Sequence, residues 1–576
     1  RLDIFSPVHK KGRFLINAVV FARENIFEAN EKIIKNLEEK GALINASKIT
    51  HSYPHCWRCK KPVIFRSTKQ LFIDIEANEL RKKLLEVLDE VKWIPGIGKN
   101  RMAGMLEVRP DWCLSRQRYW GVPIPLFYCK KCNATLLDEK VINHVANVFE
   151  KYGSDSWFEK DEKELLPEGI TCKNCGGNEF RKDEDIFDVW FDSGISHYAV
   201  LKERKDLTYP ATMYLEGSDQ HRGWFQTSLI PTVIVEGKAP YEIILTHGFV
   251  VDGEGKKMSK SLGNVIEPAE IINKYGAEIL RLWVSSENYR EDLRISDEII
   301  KLIVESYRKI RNTIRFLLGN LYDFKDEETR ITREIDEYML NLTKKYMNEI
   351  RKHYEDFDFH KVYQKIMNFI NKELSSFYLD VLKDRLYTFK ETSPCRRSAQ
   401  YVLKFILENL LKYLSPILSF TTEEAWQIYN FNESERWKKS IFEEDIPEIY
   451  DYDENIINKW KKVLLIRDKA LVVLERMREK KIIGNSLEAD LFIYSKNKDF
   501  SEIIESLRDY WYEILIVSNV YIKEPEKYDY KIEEDDIVVA GIKSPYKKCV
   551  RCWMHKEEVG KLENPELCNK CIEAIQ

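Results

Sequence analysis

Apolar positions change their spacing along the chain, and the elements they specify change with them. Residues 26–39 carry a helical pattern that Gly41 closes in the position of a C-cap. From about 51 to 120 the segments are extended and rich in Trp, Pro and Arg. Strand patterns stop at Tyr128 and resume at Ile186, which marks 126–182 as an insertion. The chain then alternates strand Met213–Leu215, helix Trp224–Val235, strand Ile243–Leu245, a Gly/Lys loop, helix Pro268–Tyr275 and strand Leu280–Val284. That order predicts a parallel α/β sheet. After 296 a helical period takes over: Ile299, Ile303, Tyr307, Ile310, Ile314, Leu317 and Leu321 make the stripe of one long amphipathic helix. More helices run to about 430 with a break at Pro416, helices and short strands mix over 430–540, and a short Lys-rich tail closes the sequence.

Composition narrows the class. The 576 residues are 44% hydrophobic, enough for three to five domains. No run of about 18 apolar residues could span a bilayer. The start, Arg1 to Phe14, has neither the apolar stretch nor the cleavage site of a signal peptide, so a cytoplasmic protein without membrane contact is expected. The first residue is Arg1 rather than Met, and the sequence reads as a fragment. With 91 Lys and Arg against 95 Asp and Glu, any RNA binding must come from local basic faces.

Ten of the 12 cysteines stand in Cys-x-x-Cys pairs. Without an export signal, such pairs read as thiolate zinc knuckles rather than disulfides. Cys549, Cys552, Cys568 and Cys571 have the spacing of one closed Zn2+ site, and a short tail has no core for four structural thiols to fill. Cys129, Cys132, Cys172 and Cys175 predict a second, with Gly176 and Gly177 supplying its tight turn. Cys56 and Cys59 remain as a half-site, to be completed by a pair upstream of residue 1 or locally by His51 or His55.

Between Val250 and Ser261, glycines and three lysines put mobile positive charge at the C-terminal edge of the predicted sheet. A lysine closing on an attacked α-phosphate stabilises charge that grows in the transition state. A Lys/Gly loop alone is more often a solvated turn. Here Lys257-Met258-Ser259-Lys260-Ser261 matches the KMSKS motif of class I aminoacyl-tRNA synthetases. Segments 112–121, 188–194, 214–225 and 245–249 also resemble the isoleucyl, valyl and leucyl subgroup, and the four-cysteine tail points to the bacterial-type isoleucyl family. The resemblance covers nearly the whole chain in the family's order.

It implies a multidomain α/β plus all-α fold: 1–50 the end of an editing domain, 51–125 a connection, 126–182 a zinc ribbon, and 183–295 the second half of a Rossmann-like catalytic fold. A helical anticodon-binding domain (296–430), a junction domain (431–540) and a zinc finger (541–576) would follow. It also implies ATP- and Mg2+-dependent activation of L-isoleucine, transfer to tRNA(Ile), editing of valine in the full-length protein, and a monomer. By position, Glu216, Gly217, Asp219 and Gln220 would hold the adenylate, Lys260 with Lys257 the ATP phosphates, and Trp190 and Trp224 the side-chain pocket. Two ordinary core tryptophans are the plainer alternative. Arg308, Lys309, Arg311 and Arg315 form a basic helical face suited to a phosphate backbone, and Lys547, Lys548, Arg551 and Trp553 would add charge and stacking for RNA.

The chain departs from the family in lacking any His-x-Gly-His motif, so it is expected to be inactive alone. The competing expectations are a valyl-type enzyme and a non-catalytic tRNA-binding zinc protein.

Overall fold

Helix Trp224–Glu236 is apolar on every side and buries nine of its residues, as a helix inside a sheet-and-helix layer must. The computed structural model describes residues 5–56, 58–325, 330–431, 434, 437–446 and 448–576; Trp57 of the Cys56/Cys59 half-site and the first four residues of the 1–50 segment lie outside these. Two units divide at Thr246 and His247.

In the first unit a three-stranded sheet takes strands Lys92–Ile94, Tyr241–His247 and Ala211–Gly217 in that order, the first two paired in parallel with Ile244 opposite Trp93. The segment 51–125, read as a connection, therefore contributes an edge strand. Leu84, Met102, Phe225, Leu229, Ile230 and Ile244 form the core against it. A second sheet, with Phe127–Cys129 between Thr135–Leu136 and Phe180–Lys182, carries the inserted ribbon over its own core of Phe127, Val141, Val145, Trp157 and Phe180.

In the second unit Ser296 caps helix Asp297–Asn320, its hydroxyl accepting from the Ile299 N–H at 3.3 Å. Ile303, Ile310, Ile314 and Leu317 of the expected stripe are buried. Helices Glu334–Glu355, Phe359–Asn368, Leu379–Thr388, Pro394–Leu414, Ser419–Asn430 and Glu454–Glu479 pack on it around one continuous core. Inside that core Arg385 and Asp336, both fully buried, pair at 2.8 Å, and Arg385 reaches Glu513 at 2.7 Å. Tyr378 and Ser398 donate to the same Asp336, so the buried charge is compensated on several sides.

Leu280–Val284 is not a strand. Ala277–Ser286 is a helix, because Ile279, Leu282 and Trp283 bury at three- and four-residue spacing. The mixed region ends in a four-stranded sheet whose strand Ile537–Lys543 runs past the boundary at 540, and the last cysteine module follows it. No helix of the described residues is long and apolar enough to cross a membrane.

Candidate functional site

In the first unit, strand Ala211–Gly217 ends at the turn that carries the expected adenylate residues. Glu216 and Asp219 are exposed, Gln220 is half-buried and Gly217 is buried. Gln220 spends its amide on structure: Oε1 accepts the N–H of Trp224 at 3.0 Å, and Nε2 donates to Asp219 at 3.1 Å. This caps the following helix and fixes the Asp219 carboxylate beside the strand end. Trp224 stacks on Tyr214 at 3.9 Å and donates from its ring to the Ser193 carbonyl at 2.9 Å. Trp190 sits on helix Val189–Gly194 with 43% of its surface exposed. Asp188 starts that helix, accepting from the Trp190 N–H at 3.3 Å, the Trp112 ring at 3.1 Å and Arg116 at 2.9 Å. Motif segments around 112, 190 and 224 are thus tied together locally.

Two residues that sequence reasoning passed over support this turn. His221 is buried, its Nδ1 bonded to the Ser218 carbonyl at 2.8 Å and its ring stacked on Trp93 at 6.1 Å. Burial lowers its pKa, keeping the imidazole neutral. Gly194 lies where a Cβ would stand 2.2 Å from the Thr227 carbonyl oxygen, so only glycine lets the two helices approach this closely. Both stand in the motif segments 188–194 and 214–225, but what each does depends on a contact, with Thr227 and with Trp93, that only the fold makes.

In the second unit, strand Val250–Val251 pairs in parallel with Leu293–Arg294 and leads into the lysine turn. Lys256 is spent on Glu254 at 2.7 Å. Lys257 and Lys260 are exposed and pair with no described residue. Met258 points inward, onto the helical core, and its sulfur accepts from the Ile266 N–H at 3.5 Å. The loop therefore presents two uncompensated cations and anchors the residue between them.

Both four-cysteine groups close in space, each with its four sulfurs within 4.8 Å of one another. Cys129 and Cys175 are 3.5 Å apart, Cys132 and Cys172 3.6 Å, and Cys552 and Cys568 3.7 Å. Tetrahedral zinc with bonds of about 2.3 Å separates sulfurs by about 3.8 Å, so the donor sets fit. Within each group the thiols share protons unevenly: the Ala134 backbone and the Cys175 thiol hold Cys132 down to about 6 while its neighbours push Cys175 up, and Cys552 holds Cys568 down to about 5 while Cys552 itself is pushed up. Four sulfurs leave no open position, so a zinc ion held there would be structural rather than catalytic. Gly176 makes the expected turn at φ +69°. Among the described residues Cys56 and Cys59 join no such group; His51 and His55 each turn Nδ1 to a neighbouring carbonyl, at 3.0 and 2.8 Å, which engages Nδ1 and not Nε2.

The basic face of helix Asp297–Asn320 is exposed, although Arg308 pairs with Glu305 at 2.6 Å and Arg311 with Glu424 at 3.4 Å. Of the tail residues, Lys547 is exposed, and Lys548 lies 5.0 Å above the ring of Trp553, itself 57% exposed. Arg551 differs from expectation: it donates to the Thr388 carbonyl and docks the cysteine module on the helices. Beside it lies a cleft of about 520 Å3 lined by Tyr387, Arg467, Arg478, Tyr512, Arg551 and Trp553.

Comparison with known proteins completes the picture. Residues 21–296 match the family described as tRNA synthetases class I (I, L, M and V), residues 336–493 the anticodon-binding domain of tRNA ligase, and residues 547–574 a zinc finger found in FPG and IleRS. The chain is 48% identical to the isoleucine-tRNA ligase of Caldicellulosiruptor saccharolyticus, 46% to that of Kosmotoga olearia and 45% to that of Geobacter sulfurreducens. Each alignment takes in 100% of this chain and, in that order, 62%, 63% and 63% of the relative.

Proposed function

The chain belongs to the class I tRNA synthetases (I, L, M and V), and on that premise we propose that the whole protein is an isoleucine-tRNA ligase, a cytoplasmic monomer that activates L-isoleucine with ATP and Mg2+ and transfers it to tRNA(Ile). The observation that carries the reading is the pair of unpartnered lysines, Lys257 and Lys260, held out from an anchored turn. When the isoleucine carboxylate attacks the α-phosphate, negative charge accumulates on the phosphate oxygens. Lys260, with Lys257 beside it, meets that charge in the transition state more strongly than in the ground state. Glu216, Gly217, Asp219 and Gln220 receive the adenylate, and the fixed Asp219 carboxylate suits a ribose hydroxyl.

Trp190 and Trp224 wall the alkyl pocket. A branched side chain offers only shape to recognise, and one methylene is worth about 1–3 kcal/mol, so rejection of valine needs editing in the complete protein. The valyl alternative is disfavoured by full-length relatives that are isoleucine-tRNA ligases and by the matched zinc finger. For tRNA, the exposed face at Arg308, Lys309, Arg311 and Arg315 supplies charge, and the cleft with Tyr387 and Trp553 supplies stacking. The test is isoleucine-dependent exchange of pyrophosphate into ATP by the full-length protein. Lys260→Ala should slow it by about a hundredfold or more with little change in isoleucine KM; an unchanged rate removes Lys260 from the reaction.

A further inference from the structure

The lysine turn is held by two side chains that no motif reading singled out. Asp252 stands at its entry and Asn264 at its exit. Asp252 Oδ1 accepts the backbone N–H groups of Glu254 at 3.0 Å and Lys256 at 2.8 Å, while Oδ2 accepts Asn264 Nδ2 at 2.8 Å. Asn264 Oδ1 in turn accepts the Ser259 N–H at 2.9 Å, and Nδ2 lies 3.4 Å from the Lys257 carbonyl. Backbone groups at 254, 256, 257 and 259 are thus all gathered by one carboxylate and one amide. Asn264 comes first among the contacts that hold the Asp252 carboxyl below its ordinary value.

We propose that Asp252 and Asn264 are positioning residues for amino-acid activation: their clasp closes the ends of the loop and sets the Lys257–Ser261 turn in one geometry, from which Lys257 and Lys260 reach the phosphates. The inference rests on the activation chemistry proposed above. Its physical basis is preorganisation. Gly253, Gly255 and Gly263 leave this exposed segment many conformations, and each one the clasp removes is one that the transition state need not exclude. The clasp also engages the Asp252 carboxylate, and Glu254 is engaged by Lys256, so neither acid competes with phosphate for Lys257 or Lys260.

The pair permits a test by exchange. In Asp252→Asn two amide donors face each other, and in Asn264→Asp two carboxylates do. The double variant restores the bond between the two side chains with donor and acceptor reversed and leaves an oxygen for the Glu254, Lys256 and Ser259 N–H groups, losing only the long contact to the Lys257 carbonyl. In the full-length enzyme each single change should lower kcat for pyrophosphate exchange by about tenfold or more while isoleucine KM stays within about twofold, and the double should recover most of the loss. In the 576-residue chain, trypsin should cut after Lys257 and Lys260 several-fold faster in either single variant than in the parent or the double. Singles that exchange at the parent rate, or a double no better than the worse single, overturn the positioning role even if Lys260→Ala is inert. A parent enzyme that exchanges nothing with isoleucine overturns the functional reading itself, and the positioning role with it.

Discussion

Replacing Gly194 by alanine places one methyl group against backbone that cannot yield. The new Cβ would stand 2.2 Å from the Thr227 oxygen and 2.7 Å from its carbonyl carbon, inside helix Trp224–Glu236. An ordinary carbon-to-oxygen contact is above about 3.3 Å, so the helix Val189–Gly194 must retreat by roughly 1 Å. Overpacking of this kind costs about 1–3 kcal/mol. The bond from the Trp224 ring to the Ser193 carbonyl, at 2.9 Å, lies on the same seam, and stretching it costs about 1 kcal/mol more. Alanine recovers about 0.5–1 kcal/mol by restricting the unfolded chain. The net loss is therefore about 1–3.5 kcal/mol, or roughly 2–14 °C in the melting midpoint of a unit this size. Trp190 sits on the displaced helix and Trp224 on the seam, so isoleucine KM in the full-length enzyme should rise with the shift. Gly104 is the control: it is exposed in helix Ile97–Glu107 with nothing within 4 Å of its would-be Cβ, and Gly104→Ala should stabilise by about 0.5–1 kcal/mol. Thermal unfolding followed by tryptophan fluorescence reads both. A Gly194→Ala chain that melts with the parent would refute the close-packing account of this wall.

Elemental analysis should find two zinc ions per chain, and Cys549→Ser should remove one while the ribbon at Cys129–Cys175 keeps the other; fewer than one in the parent, or none in the variant, contradicts this. Burial pushes the Glu236 carboxyl up, but Lys202, Tyr209, Tyr198 and Lys238 outweigh it and bring it down to about 2. A depressed carboxylate stabilises the fold above its unfolded value of 4.5 and loses that contribution as pH falls through about 2, so Glu236→Gln should lower the urea midpoint at pH 7 and the gap should close on acidification; a constant gap contradicts the assignment. The 576-residue chain alone should catalyse no isoleucine-dependent pyrophosphate exchange yet bind isoleucine tRNA with strong salt dependence, weakened by Arg311→Glu in filter binding. Exchange by the chain alone, or binding indifferent to that charge reversal, counts against the reading.

What could be read from the sequence was what depends on neighbours along the chain. Ile303, Ile310, Ile314 and Leu317 repeat at helical spacing over many turns, and the long helix is where that stripe put it. The two four-cysteine groups follow from the spacing of their pairs alone. Leu280–Val284 was misread because a short apolar run fits a strand or a buried helix, and only the packing of Ile279, Leu282 and Trp283 decides between them. Arg551 was legible as a charge but not as a dock, since its acceptor, the Thr388 carbonyl, is distant in sequence. Gly194, His221 and the Asp252–Asn264 clasp belong to the same class: each acts through a contact that forms only after folding.

The activity proposed for the whole protein is that of a ligase that chooses isoleucine and its tRNA. Its most direct test is charging of purified tRNA(Ile) and tRNA(Val) by the full-length protein with radiolabelled isoleucine or valine, ATP and Mg2+. The account predicts stable isoleucyl-tRNA(Ile), no accumulation of valyl-tRNA(Ile), no charging of tRNA(Val), and loss of product in Lys260→Ala. Stable charging of tRNA(Val) with valine, or a folded, zinc-loaded enzyme that charges neither tRNA, would contradict it.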